Sequence, residues 1–362
     1  MKILKIADPV AGEEPADQVR TFVFMSNLAA QETSGNRDVS VSVERIITDL
    51  AGSTELVSQL HVATLDDEVP LRATLPPDVD EPYIEAEGWV KINLPLIDDQ
   101  HSASLEIVLD AGHQPLPGQE LSPEATEVIQ TLLTHGEHTA ADHPWQRRIF
   151  HTAHMHPSGE VTDCDYCALL AHARYIKAHE EIQQVLELAE CPQERQSAEV
   201  LGLREHQILG TDFPDSLIGG IVELQDIAAT DVPHGALTTN PTQWSPRRLA
   251  QQSERIRKTG AQLVTAVFSD DEGVVAFSTA SLPPGSNPDA AEQGLTIVHP
   301  RARGRNLGRS VKLACLDLLQ AQHPQVLRVA TSNAVDNQAM LAINRALGAR
   351  EMSRTTLWEK KL

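Results

Sequence analysis

The residues with the clearest capacity for chemistry lie near the C-terminus, in Val298-His-Pro-Arg-Ala-Arg303-Gly304-Arg305-Asn306-Leu307-Gly308-Arg309-Ser-Val311-Lys312. An apolar run there meets a basic, glycine-containing turn that opens an amphipathic segment, which is the order of a strand, a loop and a helix N-terminus. Backbone N–H groups in such a turn, backed by the positive end of the helix dipole, hold a pyrophosphate without requiring any one side chain. The chemistry implied is that of a phosphorylated cofactor. A second cluster is His154-x-His156 followed by Cys164-Asp-Tyr-Cys167, in a stretch that also carries His135, His138, His143 and His151. Two histidines and two cysteines suit a tetrahedral zinc site. The element expected there is a helix on which Cys164 and Cys167 lie one turn apart, where buried thiols are common core residues, so no metal is expected.

These groups need elements to hold them, and the C-terminal half has the cleaner pattern. Pro214 precedes residues 216–229, where Leu217, Ile221, Leu224 and Ile227 or Ala228 recur at helical spacing. Turn residues break the pattern over 231–240. Ser245 as N-cap and Pro246 at the first position announce a second helix, which Gly260 should end. Residues 262–269 and 274–281 read as strands joined by Asp270-Asp271-Glu272-Gly273, and 294–299 as a third strand. After the basic turn, Leu307, Val311, Ala314, Cys315, Leu318 and Leu319 form an apolar helical stripe closed by Pro324. A strand over 326–331, a helix capped by Asp336 or Asn333 and running through Met340, Ile343 and Leu347 to Gly348, and a strand over 355–360 complete the order α-α-β-β-β-α-β-α-β.

The N-terminal half is a blurred copy. Helices are expected over 21–31 and 41–51, strands over 60–65, 89–96 and 104–110, a helix over 123–134, a strand over 148–154, a helix over 163–175 and a final strand over 182–188. A duplication with a period near 185 residues follows. At 362 residues the chain fits two domains. Its net charge of -22, from 51 acidic against 29 basic residues, opposes nucleic acid and anionic membranes, and aromatic residues at 4% leave little to stack on bases. A cationic or amine-bearing substrate fits that field. There is no long apolar core at the N-terminus, no run of the roughly 20 residues a membrane span needs, and only four cysteines, so a cytoplasmic protein without a disulfide framework is expected.

The C-terminal order, with Val298, the Arg303-Gly-Arg-Asn-Leu-Gly308 turn and the later Asn337-x-x-Met340-x-x-x-Asn344-x-x-x-Gly348 segment, resembles the GNAT acyltransferase family. The resemblance covers residues 190–362 through motifs and 1–188 through the order of elements alone. Residues 207–260 look like the tandem GNAT proteins, in which a degenerate first copy precedes an active second one, and the layout is similar to that of mycothiol synthase. The fold this implies is α/β, with two tandem GNAT-like domains, 1–188 and 189–362, each a mixed, mostly antiparallel sheet flanked by helices. In that family the consensus Gln/Arg-x-x-Gly-x-Gly/Ala turn holds the pyrophosphate of acetyl-CoA on backbone amides while the preceding strand pairs with pantetheine. The resemblance therefore implies cofactor contacts from Ile297 and Val298 on the strand and from Arg303, Gly304, Arg305, Asn306, Leu307, Gly308 and Arg309 in the turn. Asn306 replaces the first consensus glycine and tolerates positive φ better than most residues.

Acyl transfer to an amine requires a neutral amine, a polarised thioester carbonyl and a tolerable thiolate leaving group. Glu292, eleven residues before Arg303, matches the position where many family members have the carboxylate that deprotonates the amine. By strand alternation it shares a face with Gly294, Thr296 and Val298, opposite Leu295 and Ile297; the alternative is a solvated strand-start glutamate. Asp231 and His234 are further options for the base, and His299 falls on the wrong face. The family's acid, a tyrosine seven residues beyond the helix-opening asparagine, is Asn344 here, and all three tyrosines (Tyr83, Tyr166, Tyr175) lie upstream. Asn344 is expected to hydrogen-bond the sulfur or a water, since a thiolate of pKa roughly 8.5 leaves moderately well unaided. Asn333 and Asn337 either face the thioester or pantetheine where the central strands splay, or cap a helix. The first copy has Asp110-Ala-Gly112-His-Gln-Pro115-Leu-Pro117-Gly118-Gln-Glu120 in place of the basic turn. Its prolines remove amides and its acids replace arginines, so acetyl-CoA is not expected there and a structural or substrate-shaping role is. The resulting expectation is an N-acetyltransferase acting on a primary amine of a small molecule or peptide; the alternative is a non-catalytic acyl-CoA-binding or interaction protein.

Overall fold

The computed structural model describes residues 1–9, 14–66, 74–75, 84–116, 118–159, 161, 163–192 and 195–362; Tyr83 and Pro117 lie outside the described residues. The chain forms two compact units, one of Met1–Glu180 with Gly235–Asn240 and Ser353–Leu362, the other of Glu181–His234 with Pro241–Met352. Among the described residues no helix is long and apolar enough to cross a membrane.

The first half runs β1 (Lys2–Ile6), α1 (Asp17–Ser34), α2 (Val43–Leu50), β2 (Leu56–Thr64), a short β3 (Thr74–Leu75), β4 (Gly88–Pro95), β5 (Ser102–Leu109), α3 (Pro123–Ala141), β6 (Ile149–Pro157), α4 (Asp165–His172) and β7 (Ile176–Glu187). The second half repeats the order with β8 (Arg204–Leu209), α5 (Asp215–Asp231), α6 (Pro246–Thr259), β9 (Gln262–Ser269), β10 (Val274–Leu282), β11 (Ala290–Val298), α7 (Leu307–Gln322), β12 (Arg328–Ala334), α8 (Gln338–Ala346) and β13 (Arg350–Lys361). Among the strands and α-helices of the described residues only β3 has no counterpart, so the duplication read from the sequence is the architecture observed.

Local signals account for the helix ends. Ser245 accepts the Arg248 N–H at 3.2 Å, Pro246 opens α6, and Gly260 closes it at φ +74°. In α7 the stripe from Leu307 to Leu319 is buried throughout. The opening strands β1 and β8 are absent from the sequence expectation, because strands this short carry little period-two pattern. The cap of α8 is Asn337, whose side chain accepts the Met340 N–H at 3.2 Å; neither Asp336 nor Asn333 fills that role.

In the first unit the strand order is β3-β1-β2-β4-β5-β6-β13, and in the second it is β7-β12-β11-β10-β9-β8. The β1/β3, β5/β6 and β11/β12 pairs are parallel and the others antiparallel. The last strand of each half pairs in an unexpected place. Glu181–Glu187 of β7 adds to β12, while Ser353–Lys361 of β13 adds to β6. A strand's own pattern reveals that it pairs, not with what.

Two cores flank the second sheet. One packs α7 and Leu347 against Ala276, Ala280, Ala291 and Val329; the other packs α5 and α6 against Val267, Phe277 and Ile297.

Candidate functional site

The basic turn leaves β11 through a 3-10 turn, Pro300–Ala302, where His299 accepts the Arg301 N–H at 3.2 Å. Gly304 and Asn306 then adopt left-handed conformations, φ +78° and +58°, and the chain enters α7. Asparagine bears that conformation where a β-branched residue would not, which explains how Asn306 stands in for glycine. No side chain caps α7, so the N–H groups of its first turn face outward with the positive end of the helix dipole. The equivalent helix of the first copy is closed: Ser122 Oγ accepts the Ala125 N–H at 3.0 Å, and Pro123 has no N–H to offer. The N-terminus of α7 is therefore uncapped where that of α3 is capped.

A cavity of about 520 Å³ opens at this turn. Ile297 and Val298 line it from β11, Arg303, Gly304 and Asn306 from the turn, Leu307, Gly308 and Arg309 from α7, and Asn337 from α8. Arg309 Nε is buried and, among the described residues, has no hydrogen-bond partner. Gly308 is the close-approach position: a Cβ there would lie 3.0 Å from Ile343 Cδ1. Two sequence candidates turn elsewhere. The Arg305 guanidinium donates to Leu201 O at 2.8 Å, and Asn333 Nδ2 to Thr331 Oγ1 at 3.3 Å. Sequence reasoning missed Thr296, Val232, Ala339, Met340 and Ile343 as lining residues. Of these, Met340 and Ile343 were legible as one helix face, but only tertiary packing directs that face to the turn.

Above the turn the two central strands part. β11 and β12 pair only from Ala290↔Arg328 to Glu292↔Ala330, although β11 continues to Val298 and β12 to Ala334. Glu292 thus stands at the apex of the gap. Immediately after it β11 bulges: Ser278 pairs with Thr296 and Ala280 with Gln293, so Thr279 opposes both Gly294 and Leu295. The bulge requires glycine, because a Cβ on Gly294 would lie 2.3 Å from Thr279 Oγ1. Gln293 and Thr296 brace it through Ser278 Oγ, at 3.1 and 2.8 Å.

That extra residue reverses the alternation expected for Glu292. With Ser281 as its partner, Glu292 shares the α5–α6 face with Phe277, Leu295 and Ile297, and Val298 lies on the α7 face. Strand parity counted from the sequence fails here because a bulge inserts one residue without changing the partner strand. Of the other base candidates, Asp231 is ion-paired with Arg303, His234 Nδ1 lies 3.3 Å from Val232 O, and His299 Nε2 lies 3.3 Å from Glu223 on α5.

Asn344 does not meet its expected role. It is fully buried; its Oδ1 accepts from Lys312 Nζ at 2.6 Å and its Nδ2 donates to Gln184 Oε1 at 2.9 Å. Both ends of the amide are engaged, and Asn344 is buried away from the residues that line the cavity. Lys312, at the end of the basic stretch, is equally buried and belongs to this network, not to the phosphate turn. Burial pulls its pKa down to about 8.

No family model and no curated protein matches the sequence. Solved structures do share the fold. The chain is similar to a tandem GNAT protein from the clavulanic acid biosynthesis pathway, determined without acetyl-CoA, with a TM-score of 0.73 over 99% of this chain and 98% of that one at 20% identity. A GCN5-related N-acetyltransferase from Sphaerobacter thermophilus matches with a TM-score of 0.61 over 99% and 95% of the two chains at 16% identity. A GNAT-family acetyltransferase from Colwellia psychrerythraea matches with a TM-score of 0.50 over the whole of both at 13% identity. The tandem GNAT architecture expected from the sequence is the fold of this chain.

Proposed function

We propose that this tandem GNAT fold is an acetyl-CoA-dependent N-acetyltransferase whose second domain, residues 189–362, carries the reaction and whose first domain, 1–188, is structural or shapes the acceptor site. The observation that carries the reading is the uncapped N-terminus of α7 behind the left-handed Gly304 and Asn306, at the open end of the β11/β12 gap. A pyrophosphate on those amides leads a pantetheine arm along β11 toward Glu292. The acceptor is a primary amine of a small molecule or peptide, and the acidic chain favours a cationic one.

Glu292 acts as the base. The reversal at the bulge supports this, since it sets the carboxylate on the sheet face opposite α7, where an amine can approach a thioester held from the cofactor side. The amine nitrogen bonds to the acyl carbon, its proton passes to Glu292, and the C–S bond breaks. The CoA thiolate then takes a proton from solvent, with no dedicated acid required at a pKa of roughly 8.5. Replacing Glu292 with Gln is expected to lower kcat/KM on the order of a hundredfold at neutral pH and to flatten its rise with pH. A thiol-release assay across pH checks this, and an unchanged profile removes Glu292 from the mechanism. Asn344, sealed in its network, favours a second reading, a protein that binds acyl-CoA without turnover. Tight acetyl-CoA binding with no thiol release across a panel of amines would support that reading.

The Arg303–Asp231 ion pair at the cavity mouth makes a separate expectation. Both side chains are substantially exposed, so the pair adds little stability, but Asp231 competes with phosphate for the guanidinium. Asp231→Asn is expected to tighten acetyl-CoA binding roughly two- to fivefold with Tm unchanged. Titration calorimetry checks it; weaker binding would show that Asp231 helps build the site.

A further inference from the structure

We infer that the first unit binds one divalent metal ion of the zinc class through His154, His156 and Cys164, with a fourth coordination position open to a small ligand. One donor atom from each of the three lies within 4.8 Å of the others. The sequence expectation of a core thiol holds for Cys167 alone, which is buried; Cys164 is the N-cap of α4 and only half-buried.

The site is built on rigid elements. His154 and His156 are two residues apart on β6 and so project from one face of the strand. The His154 ring stacks on Tyr166, with centroids 4.2 Å apart and planes at 5°, and meets the His156 ring edge-on at 4.6 Å. The tautomer of His156 follows from its neighbours. Thr356 Oγ1 donates to His154 O at 3.3 Å and accepts from Trp358 Nε1 at 3.0 Å. Its contact with His156 Nε2, at 2.9 Å, therefore has the imidazole as donor, which leaves Nδ1 with the lone pair a metal needs. Cys164 Sγ accepts the Cys167 N–H at 3.2 Å at a helix N-terminus, the environment that favours a thiolate.

Two imidazoles and one thiolate select a borderline ion such as zinc over magnesium or calcium, and three protein ligands are the number that leaves a zinc position open. His154 and Cys164 also line a cavity of about 300 Å³. That cavity lies where β5 and β6 separate, since they pair only from Ser102↔Ile149 to Leu105↔Thr152. In the second unit the matching gap runs to the phosphate turn. The first copy has lost that turn and has a metal-donor set at the gap instead, so the open position takes a water or a small anionic or sulfur-bearing ligand from the cavity.

The test uses the full chain with any affinity tag removed, loaded with zinc or with cobalt(II) and dialysed. One equivalent of zinc per chain and a thiolate-to-cobalt charge-transfer band are expected. Cys164→Ser should abolish the band and weaken zinc binding on the order of a hundredfold, whereas Cys167→Ser should keep both. The proposal is overturned if the wild-type protein retains no zinc above the Cys164→Ser level, or if Cys167→Ser loses zinc equally, since the site would then be a closed four-ligand one. Circular dichroism reports whether each variant folds. Should Cys164→Ser fail to fold, the wild-type cobalt spectrum decides, and absence of the thiolate band overturns the site.

Discussion

Gly308→Asp is expected to weaken acetyl-CoA binding on the order of a hundredfold, about 3 kcal/mol, while leaving the protein folded. Two effects act together. The new Cβ would stand 3.0 Å from Ile343 Cδ1, crowding a side chain that lines the cavity, and the carboxylate would lie among the amides meant for phosphate. The helix itself tolerates an acid in its first turn, where negative charge favours the dipole, so the loss falls on the ligand rather than on stability. Titration calorimetry on the full chain measures it. Gly112→Asp, in the first copy's replacement for the turn, should leave binding unchanged. An equal loss there would mean that the closed copy also takes the cofactor.

Asn344→Leu is expected to destabilise the protein by about 3–5 kcal/mol, read as a lowered denaturant midpoint. The substitution conserves volume but strands the Lys312 ammonium and the Gln184 carbonyl in the core, both of which it now satisfies. The effect depends on pH. The unfolded chain holds the Lys312 proton up to its ordinary 10.5, and the folded protein only up to about 8. The unfolded state thus binds more protons between these values, and wild-type stability rises with pH across that window and is flat with respect to this group below it. Removing the acceptor lowers the folded affinity for the proton further, so the destabilisation is greatest at pH values below the variant's own lowered Lys312 pKa, shrinks as pH rises from there to about 8, and is constant above it. Were Asn344 a partner of the leaving thiolate, the same variant would lower kcat with the midpoint unchanged.

The contrast between these two sites shows what a sequence carries. The Gly308 turn is local: the basic stretch, the glycines and the stripe of α7 lie within one strand, loop and helix, and the structure assembles them as their order implies. The same holds for Ser245, Pro246 and Gly260 around α6. Asn344 meets Gln184 across 160 residues of chain, and nothing near either residue announces the contact. Lys312 reads as a solvated lysine in a basic run, and only the packing of α7 and α8 shows it to be buried. The face of Glu292 was lost for a third reason. Alternation predicts a face only while the ladder is regular, and the bulge that reverses it is defined by the register of β10. The exchange of the two final strands belongs to the same class, being a choice among partners.

The central claim, that acetyl-CoA is held by the second copy's turn and not by the first copy's cleft, is tested most directly by amide hydrogen exchange of the full chain with and without saturating acetyl-CoA. Peptides covering 296–309 and 337–343 should exchange more slowly with the cofactor present, and those covering 102–121 should not change. Protection over 102–121 with 296–309 unaffected would contradict the account.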